Sequence, residues 1–374
     1  MPTMWRRDLE ADGVKFERWL RGRLPNARDL RMSPLVSPTS SGFSNETLLF
    51  DLAWSENGRA VQERLVVRIQ PIGYQVFPEY DLGLQFRTMQ LLAATDVPVP
   101  RMLWLESEDT SIFGAPFYVM AQVAGRVPTD QPPYHTGGWM TEVGPAEREA
   151  IWLGGFDAMA RIHRLDLDAT GFGFLRRPEL GATPLDQEIA YYEKYYTWAA
   201  RGRENPIIEA AHDWLVAHKP GPEREGLVWG DARIGNMIFD GTKPAAVLDW
   251  EMVSSGSPER DVGWAIFLDR HHSEGIDTPR LEGFPSYEDT LAYYQERSGH
   301  KVRHLHYYQV FAGWRFAIIM LRIAQQVVHY ELATPEQGRE LELNNTVTRL
   351  TAKLLELRAP GAGMSGDFSQ GGRS

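Results

Sequence analysis

Apolar and polar residues alternate along 47–54 and again along 64–69, and the two runs flank Ser55-Glu56-Asn57-Gly58. A period of two marks strands that bury one face, and Asn-Gly is the dipeptide best suited to a two-residue hairpin turn. After Pro78 the period changes. Leu82, Phe86, Met89 and Ala93 fall three and four apart, which predicts an amphipathic helix. Strand-like runs return at 102–106 and 116–123, after the stiff Val97-Pro98-Val99-Pro100. Beyond Gly125 helical spacing dominates, over 151–165, 187–200, 258–271, 287–297, 305–330 and 335–357. The pattern predicts an α+β chain in two lobes. Residues 1–121 form a small antiparallel sheet with one helix, residues 122–358 a larger, mainly helical lobe, and 359–374 a Gly/Ser-rich tail expected to be disordered.

One segment breaks the helical stretch. Apolar runs at 227–229, 237–239 and 245–248 surround the turn Asp240-Gly241, so 227–251 reads as strand, loop, strand, strand. The first loop carries Asp231 and Asn236, and the last run ends at Asp249. In protein kinases a loop Asp takes the proton of the substrate hydroxyl, an Asn five residues later binds Mg²⁺, and a later Asp binds the Mg²⁺ that bridges the phosphates. Here D-x-x-x-x-N is followed, after twelve intervening residues, by D-W-E. Mg²⁺ prefers hard oxygen ligands, which a carboxylate and an amide carbonyl supply. Asp231 is therefore the candidate general base, and Asn236 and Asp249 the candidate metal ligands. Gly-Asp and Asn-rich loops also cap ordinary hairpins; the joint pattern, each polar residue at the edge of an apolar run, is what points to chemistry.

Composition narrows the field. With 374 residues, 43% hydrophobic, the chain can bury a large core. It has no cysteine, which excludes disulfides, thiolate zinc sites and cysteine nucleophiles and fits a cytoplasmic protein. The net charge of -11 and a pI near 5.5 disfavour nucleic acid as a partner. The N-terminus is charged where a secretory signal needs an apolar core, and the apolar stretch 310–328 is interrupted by Arg315 and Arg322, so no membrane segment is expected. P-loop, serine-hydrolase, zincin and complete dinucleotide-binding motifs are absent from the sequence.

WGDARIGNMIF followed by VLDWE resembles the aminoglycoside phosphotransferase and choline kinase-like superfamily, whose usual form is H-G-D-x-x-x-x-N and then D-[WFY]-E. VPVP at 97–100, and Asp261 ten residues after the glutamate of D-W-E, match the same branch; the resemblance covers about residues 30–355. It implies a two-lobed protein kinase-like fold and transfer of the γ-phosphoryl of ATP, with Mg²⁺, to a hydroxyl of a small molecule. Within that resemblance Gly42 and Ser44 of SSGFSN cover the nucleotide phosphates, Arg68 clamps them, and backbone groups of Ala121 and Val123 meet adenine. Arg233 approaches the transferring phosphate, and Asp261 supports the catalytic-loop backbone, although helix capping would also account for an acid there. Two positions depart from the pattern. Trp229 stands where the family usually has His, and Gln85 where relatives place the helix Glu that pairs with the strand cation; Asp81, four residues earlier on the same face, is the expected substitute. These departures favour the alternative of a nucleotide-binding pseudoenzyme or regulatory binding protein of the same fold. Tyr191, Tyr192, Tyr195, Tyr196 and Trp198 suit either the core or an aromatic wall, and His271 and His272 belong to the surface or the substrate region.

Overall fold

The structure, a computed structural model, describes residues 7–38 and 45–360. Gly42, Ser44 and most of the expected tail lie outside the described residues. The chain divides into two compact units, one of Met1–Ala93 with Pro100–Val123 and one of Ala94–Val99 with Ala124–Ser374.

In the first unit α1 (Leu9–Arg23) is followed by β1 (Arg28–Met32), β2 (Glu46–Glu56), β3 (Arg59–Ile69), α2 (Leu82–Leu92), β4 (Met102–Glu106) and β5 (Phe117–Ala121). The strands form one antiparallel sheet in the order β1-β2-β3-β5-β4. Asn57 and Gly58 close the β2–β3 hairpin with φ of 50° and 76°, and a two-residue turn with positive φ at both positions matches the twist of the strands it joins. Sequence spacing gives this unit one helix; among the described residues it has two. In α1 Phe16 and Leu20, both 0% exposed, reach the core, and Leu9 and Trp19 pack against it partly buried, within a run rich in charge. The charged residues between them dilute the periodic signal. Phe16 lies 5.1 Å from the ring of Phe50 and 5.7 Å from that of Phe117, and burying one such side chain stabilises by about 1.5–3 kcal/mol. In α2, Leu82, Phe86 and Met89 are buried as their spacing predicts, but Leu92 completes the stripe and Ala93 is exposed.

The second unit carries α3 (Pro145–Arg164), α4 (Pro184–Ala200), α5 (Pro206–Ala217), β6 (Gly226–Val228), β7 (Met237–Asp240), β8 (Lys243–Val247) and β9 (Ser254–Gly256). After these come α6 (Glu259–His271), α7 (Tyr287–Ser298), α8 (Leu305–His329), α9 (Pro335–Leu343) and α10 (Thr346–Leu354). β7 and β8 form the expected hairpin, while β6 pairs with β9, a strand too short to read from the sequence. α8 is the central helix. α6 approaches it closely at Gly263, where a Cβ would stand 2.7 Å from the backbone carbonyl of Tyr308. The continuous helix expected over 335–357 is two helices. Asn345 accepts hydrogen bonds from the N–H groups of Val347 and Thr348, and a side chain that satisfies the first turn in this way starts a new helix instead of continuing the old one. Arg315 and Arg322 of α8 are buried at 1% and 3% exposure, and among the described residues no helix is long and apolar enough to cross a membrane.

Candidate active site

The loop after β6 is held by its backbone. Asp261, in the first turn of α6 and 0% exposed, accepts from the N–H of Trp229 at 2.6 Å and of Gly230 at 2.8 Å. Its Oδ2 also lies 2.9 Å from His163 Nε2, and His163 Nδ1 lies 2.6 Å from the Tyr294 hydroxyl. A carboxylate only accepts, so the His163 Nε2–H donates to Asp261. Gly230 brings the loop against the stretch after Asp249. At φ 95° it is in a region that favours glycine, and a Cβ there would stand 2.1 Å from the Met252 carbonyl oxygen.

Trp229 serves the same junction. Its ring is fully buried and its Nε1 donates to the carbonyl of Leu248 at 2.8 Å, while the Leu248 N–H donates to the Asn236 carbonyl at 2.9 Å. These two bonds tie the loop of Asp231 and Asn236 to the residue before Asp249. Asp249 itself adopts φ 59°, a conformation that costs a non-glycine residue about 1–3 kcal/mol.

Three donors converge on the Asp231 carboxylate, whose side chain keeps 15% of its exposure. Trp264 Nε1 donates to Oδ1 at 2.7 Å, Asn236 Nδ2 to Oδ2 at 2.6 Å, and Arg233 Nε lies 3.2 Å and 3.3 Å from the two oxygens. Asn236 Nδ2 also reaches the Asp231 carbonyl at 3.1 Å. The NH₂ end of the Asn236 amide is thus committed within the loop, and its carbonyl end is the one suited to a cation.

Arg233 is clamped between carboxylates, with Nη1 2.5 Å from Asp130 Oδ2. Burial would lower its pKa, but Asp130 and Asp231 outweigh that and raise it above the ordinary value, so the cation is permanent. Asp130 is in turn held below the usual carboxylate range by Arg233, against the opposing effect of burial. His272 Nε2 is 3.9 Å from Asp130 Oδ1, and burial pushes His272 down and His271 down to about 3, so both rings are neutral at physiological pH. No metal-holding group of three or more His, Cys, Asp or Glu occurs among the described residues. Mg²⁺ seldom uses an all-protein cage, because substrate phosphates and waters complete its shell.

In the first unit Arg68 of β3 donates from Nη1 to Thr47 Oγ1 at 2.9 Å and is paired across the sheet with Tyr118. The substitute partner expected at Asp81 is not one. Asp81 caps α2, its Oδ1 accepting from the Leu84 N–H at 2.8 Å, and among the described residues it forms no ion pair. Gln85 is 1% exposed and its Oε1 accepts the Tyr118 hydroxyl at 3.4 Å, a contact that needs an amide and no charge. The Ala121 N–H donates to the Arg101 carbonyl. Tyr192 and Tyr195 are core residues, whereas Trp198 is 37% exposed under the guanidinium of Arg322 at 4.0 Å. Asp130, Trp264 and His163 escaped the sequence reading. Trp264 and His163 carry no motif, although Trp264 lies one helical turn from Asp261, a spacing that puts both on one face.

A small antiparallel sheet followed by a helical unit whose loop presents D-x-x-x-x-N beside a second Asp defines the protein kinase-like phosphotransferase class. Residues 36–297 match the family model of the Phosphotransferase enzyme family, and the chain belongs to that family. Among curated proteins it is 30% identical over 275 residues to acyl-CoA dehydrogenase family member 10 of Mus musculus, covering 70% of this chain and 24% of that protein. It is 31% identical over 265 residues to acyl-CoA dehydrogenase family member 11 of Gallus gallus, covering 70% of this chain and 31% of that one. The chain thus spans 24% to 31% of the length of these relatives. A solved structure from Ralstonia eutropha JMP134, provisionally assigned as an aminoglycoside phosphotransferase, superposes with a TM-score of 0.65 at 26% identity, covering 92% of this chain and 98% of that one. A thermostable mutant of aminoglycoside phosphotransferase APH(4)-Ia, in ternary complex with ADP and hygromycin B, gives a TM-score of 0.53 at 15% identity over 93% and 99% of the two chains. That second likeness concerns the fold.

Proposed function

We propose that this protein transfers the γ-phosphoryl of ATP to a hydroxyl of a small molecule. The observation that carries the reading is the Asp231 carboxylate: partly exposed, gripped through both oxygens, and set on a loop whose backbone is bonded to that of the residue preceding Asp249. Asp231 accepts the proton of the acceptor hydroxyl as its oxygen attacks phosphorus, and such a positioned base contributes about 10²- to 10⁴-fold. Asn236 Oδ1 and the Asp249 carboxylate are hard oxygen donors that fit Mg²⁺, and they are the residues that would hold it. When bound, Mg²⁺ neutralises charge on the β- and γ-phosphate oxygens. Arg233, held as a cation between Asp130 and Asp231, is the proposed phosphate-facing charge of the loop. Arg68 as phosphate clamp, Ala121 and Val123 as adenine contacts, and Gly42 and Ser44 as covering loop follow from the family resemblance. A cytoplasmic setting is proposed from the absence of cysteine.

The Trp229 indole supports the loop, so the histidine it replaces is not required for that task. Because the curated relatives are named as acyl-CoA dehydrogenase family members, hydroxyacyl compounds belong in an acceptor panel beside aminoglycosides and choline-like amines. The test is ADP release from Mg²⁺ATP across that panel, with Asp231→Asn beside the natural chain. Turnover with one acceptor, reduced about 10²- to 10⁴-fold in Asp231→Asn while the Mg²⁺ATP melting shift persists, is expected. Undiminished turnover in Asp231→Asn refutes the mechanism. Nucleotide binding with no turnover of any acceptor would favour a binding protein of the same fold.

A further inference from the structure

We infer that Trp264 is a positioning residue for the reaction, fixing the orientation of the Asp231 carboxylate through its indole N–H. The inference rests on Asp231 being the base. A carboxylate on a short side chain turns about its Cβ–Cγ bond unless both oxygens are held. Here Trp264 takes Oδ1 at 2.7 Å and Asn236 takes Oδ2 at 2.6 Å, so rotation would break one charge-assisted bond or the other. Each carboxylate oxygen has a further lone-pair direction left for an acceptor hydroxyl, and the side chain keeps 15% of its exposure. The indole suits the task because it donates one N–H and neither accepts nor ionises. It holds the base without competing for the proton.

Trp264 is itself immobilised. It is 2% exposed on α6, one turn beyond Asp261, so a single turn of helix fixes both the backbone of the loop and the carboxylate that the loop carries. The Arg315 guanidinium lies 4.9 Å from its ring and 4.9 Å from that of Tyr192, and Arg315 Nη2 reaches toward the Gly230 carbonyl at 3.4 Å. Phe316 packs 5.7 Å from the ring. A cation against the π face draws electron density from the indole and strengthens its N–H as a donor.

The test uses the full chain labelled with indole-¹⁵N tryptophan, in which Trp264→Phe assigns one resonance among those of the 12 tryptophans. In the natural chain that resonance should lie at low field, as for a charge-assisted bond, and Asp231→Ala should return it toward the position of a free indole. The Trp229 and Trp250 indoles donate to the carbonyls of Leu248 and Val247 and should move less. If Trp264→Phe does not fold, the comparison of the natural chain with Asp231→Ala still isolates the one indole that loses its partner. In the folded Trp264→Phe variant, kcat should fall about 10- to 100-fold with the KM for ATP unchanged, the loss expected of a misoriented base. A Trp264 resonance that ignores Asp231→Ala, or an unchanged kcat in folded Trp264→Phe, overturns the inference. Absence of turnover in the natural chain would instead count against the phosphotransferase reading and leave the resonance test standing.

Discussion

Asp261→Asn probes the junction on which the site depends. The carboxylate collects three donors, the N–H groups of Trp229 and Gly230 and the imidazole Nε2 of His163, at 2.6, 2.8 and 2.9 Å, with no exposure to solvent. An amide of the same shape offers one accepting oxygen. If that oxygen takes the place of Oδ2, it keeps Trp229 and His163 and turns an NH₂ against the N–H of Gly230; if it takes the place of Oδ1, two donors are lost. The milder case forfeits one charge-assisted bond and orphans a buried N–H, together about 2–4 kcal/mol. For a unit of this size that lowers the melting temperature by roughly 5–15 °C. The loop that carries Asp231 and Asn236 shifts, and turnover should fall about 10²-fold. Differential scanning fluorimetry and steady-state kinetics read the two effects, with far-UV circular dichroism expected to stay unchanged. A melting temperature within a degree of the natural chain, with unchanged kcat, would refute the assignment of Asp261 as the anchor of this loop.

Gly230→Ala places a Cβ against the Met252 carbonyl, whereas Gly241→Ala meets nothing within 4 Å at a similarly positive φ. Both incur strain of order 1–3 kcal/mol, so melting should drop further for Gly230→Ala and only that variant should lose turnover; equal effects would discount the contact. Saturation with Mg²⁺ATP at about 100 times Kd should stabilise the natural chain by about 2.7 kcal/mol. Asp249→Ala should remove most of that melting shift, and an undiminished shift rules Asp249 out as a metal ligand. His271 is held neutral in the fold, with its imidazolium pushed down to about 3, while in the unfolded chain it titrates near the ordinary value of about 6.5. Below that value the unfolded chain binds the extra proton, so the stability associated with the neutral ring is complete above about pH 6.5 and is lost as pH falls toward 3. By pH 5 the loss reaches up to about 2 kcal/mol, less for the part of the ring that solvent reaches. Urea melts of His271→Gln at pH 7 and pH 5 should differ by that much less than those of the natural chain, and parallel behaviour of the two would contradict it.

The sequence alone determined the two-part architecture, the β2–β3 hairpin, the long α8 and the order Asp231, Asn236, Asp249, because these depend on local periodicity, turn chemistry and spacing. Asn57-Gly58 demands its turn wherever it sits, and a stripe at three and four spacing makes a helix face whatever it packs against. The tertiary structure decided what depends on which distant groups meet. Phe16 and Leu20 make α1 part of the core only because Phe50 and Phe117 stand across from them. Asp81 stands on the helical face that suggested an ion pair, yet its carboxylate goes to the first turn of α2. Asn345 splits one expected helix into two because its side chain caps the second. Trp229 supports the loop of Asp231 and Asn236 without being histidine, since the contact needs only an N–H aimed at the Leu248 carbonyl. Trp264, 33 residues from Asp231 in the chain and 2.7 Å from it in space, shares a helix face with Asp261 but carries no signal that names Asp231 as its partner. Spacing along a chain fixes which residues share an element, whereas the partner of a buried donor is fixed by the packing of helices that meet only in the folded protein.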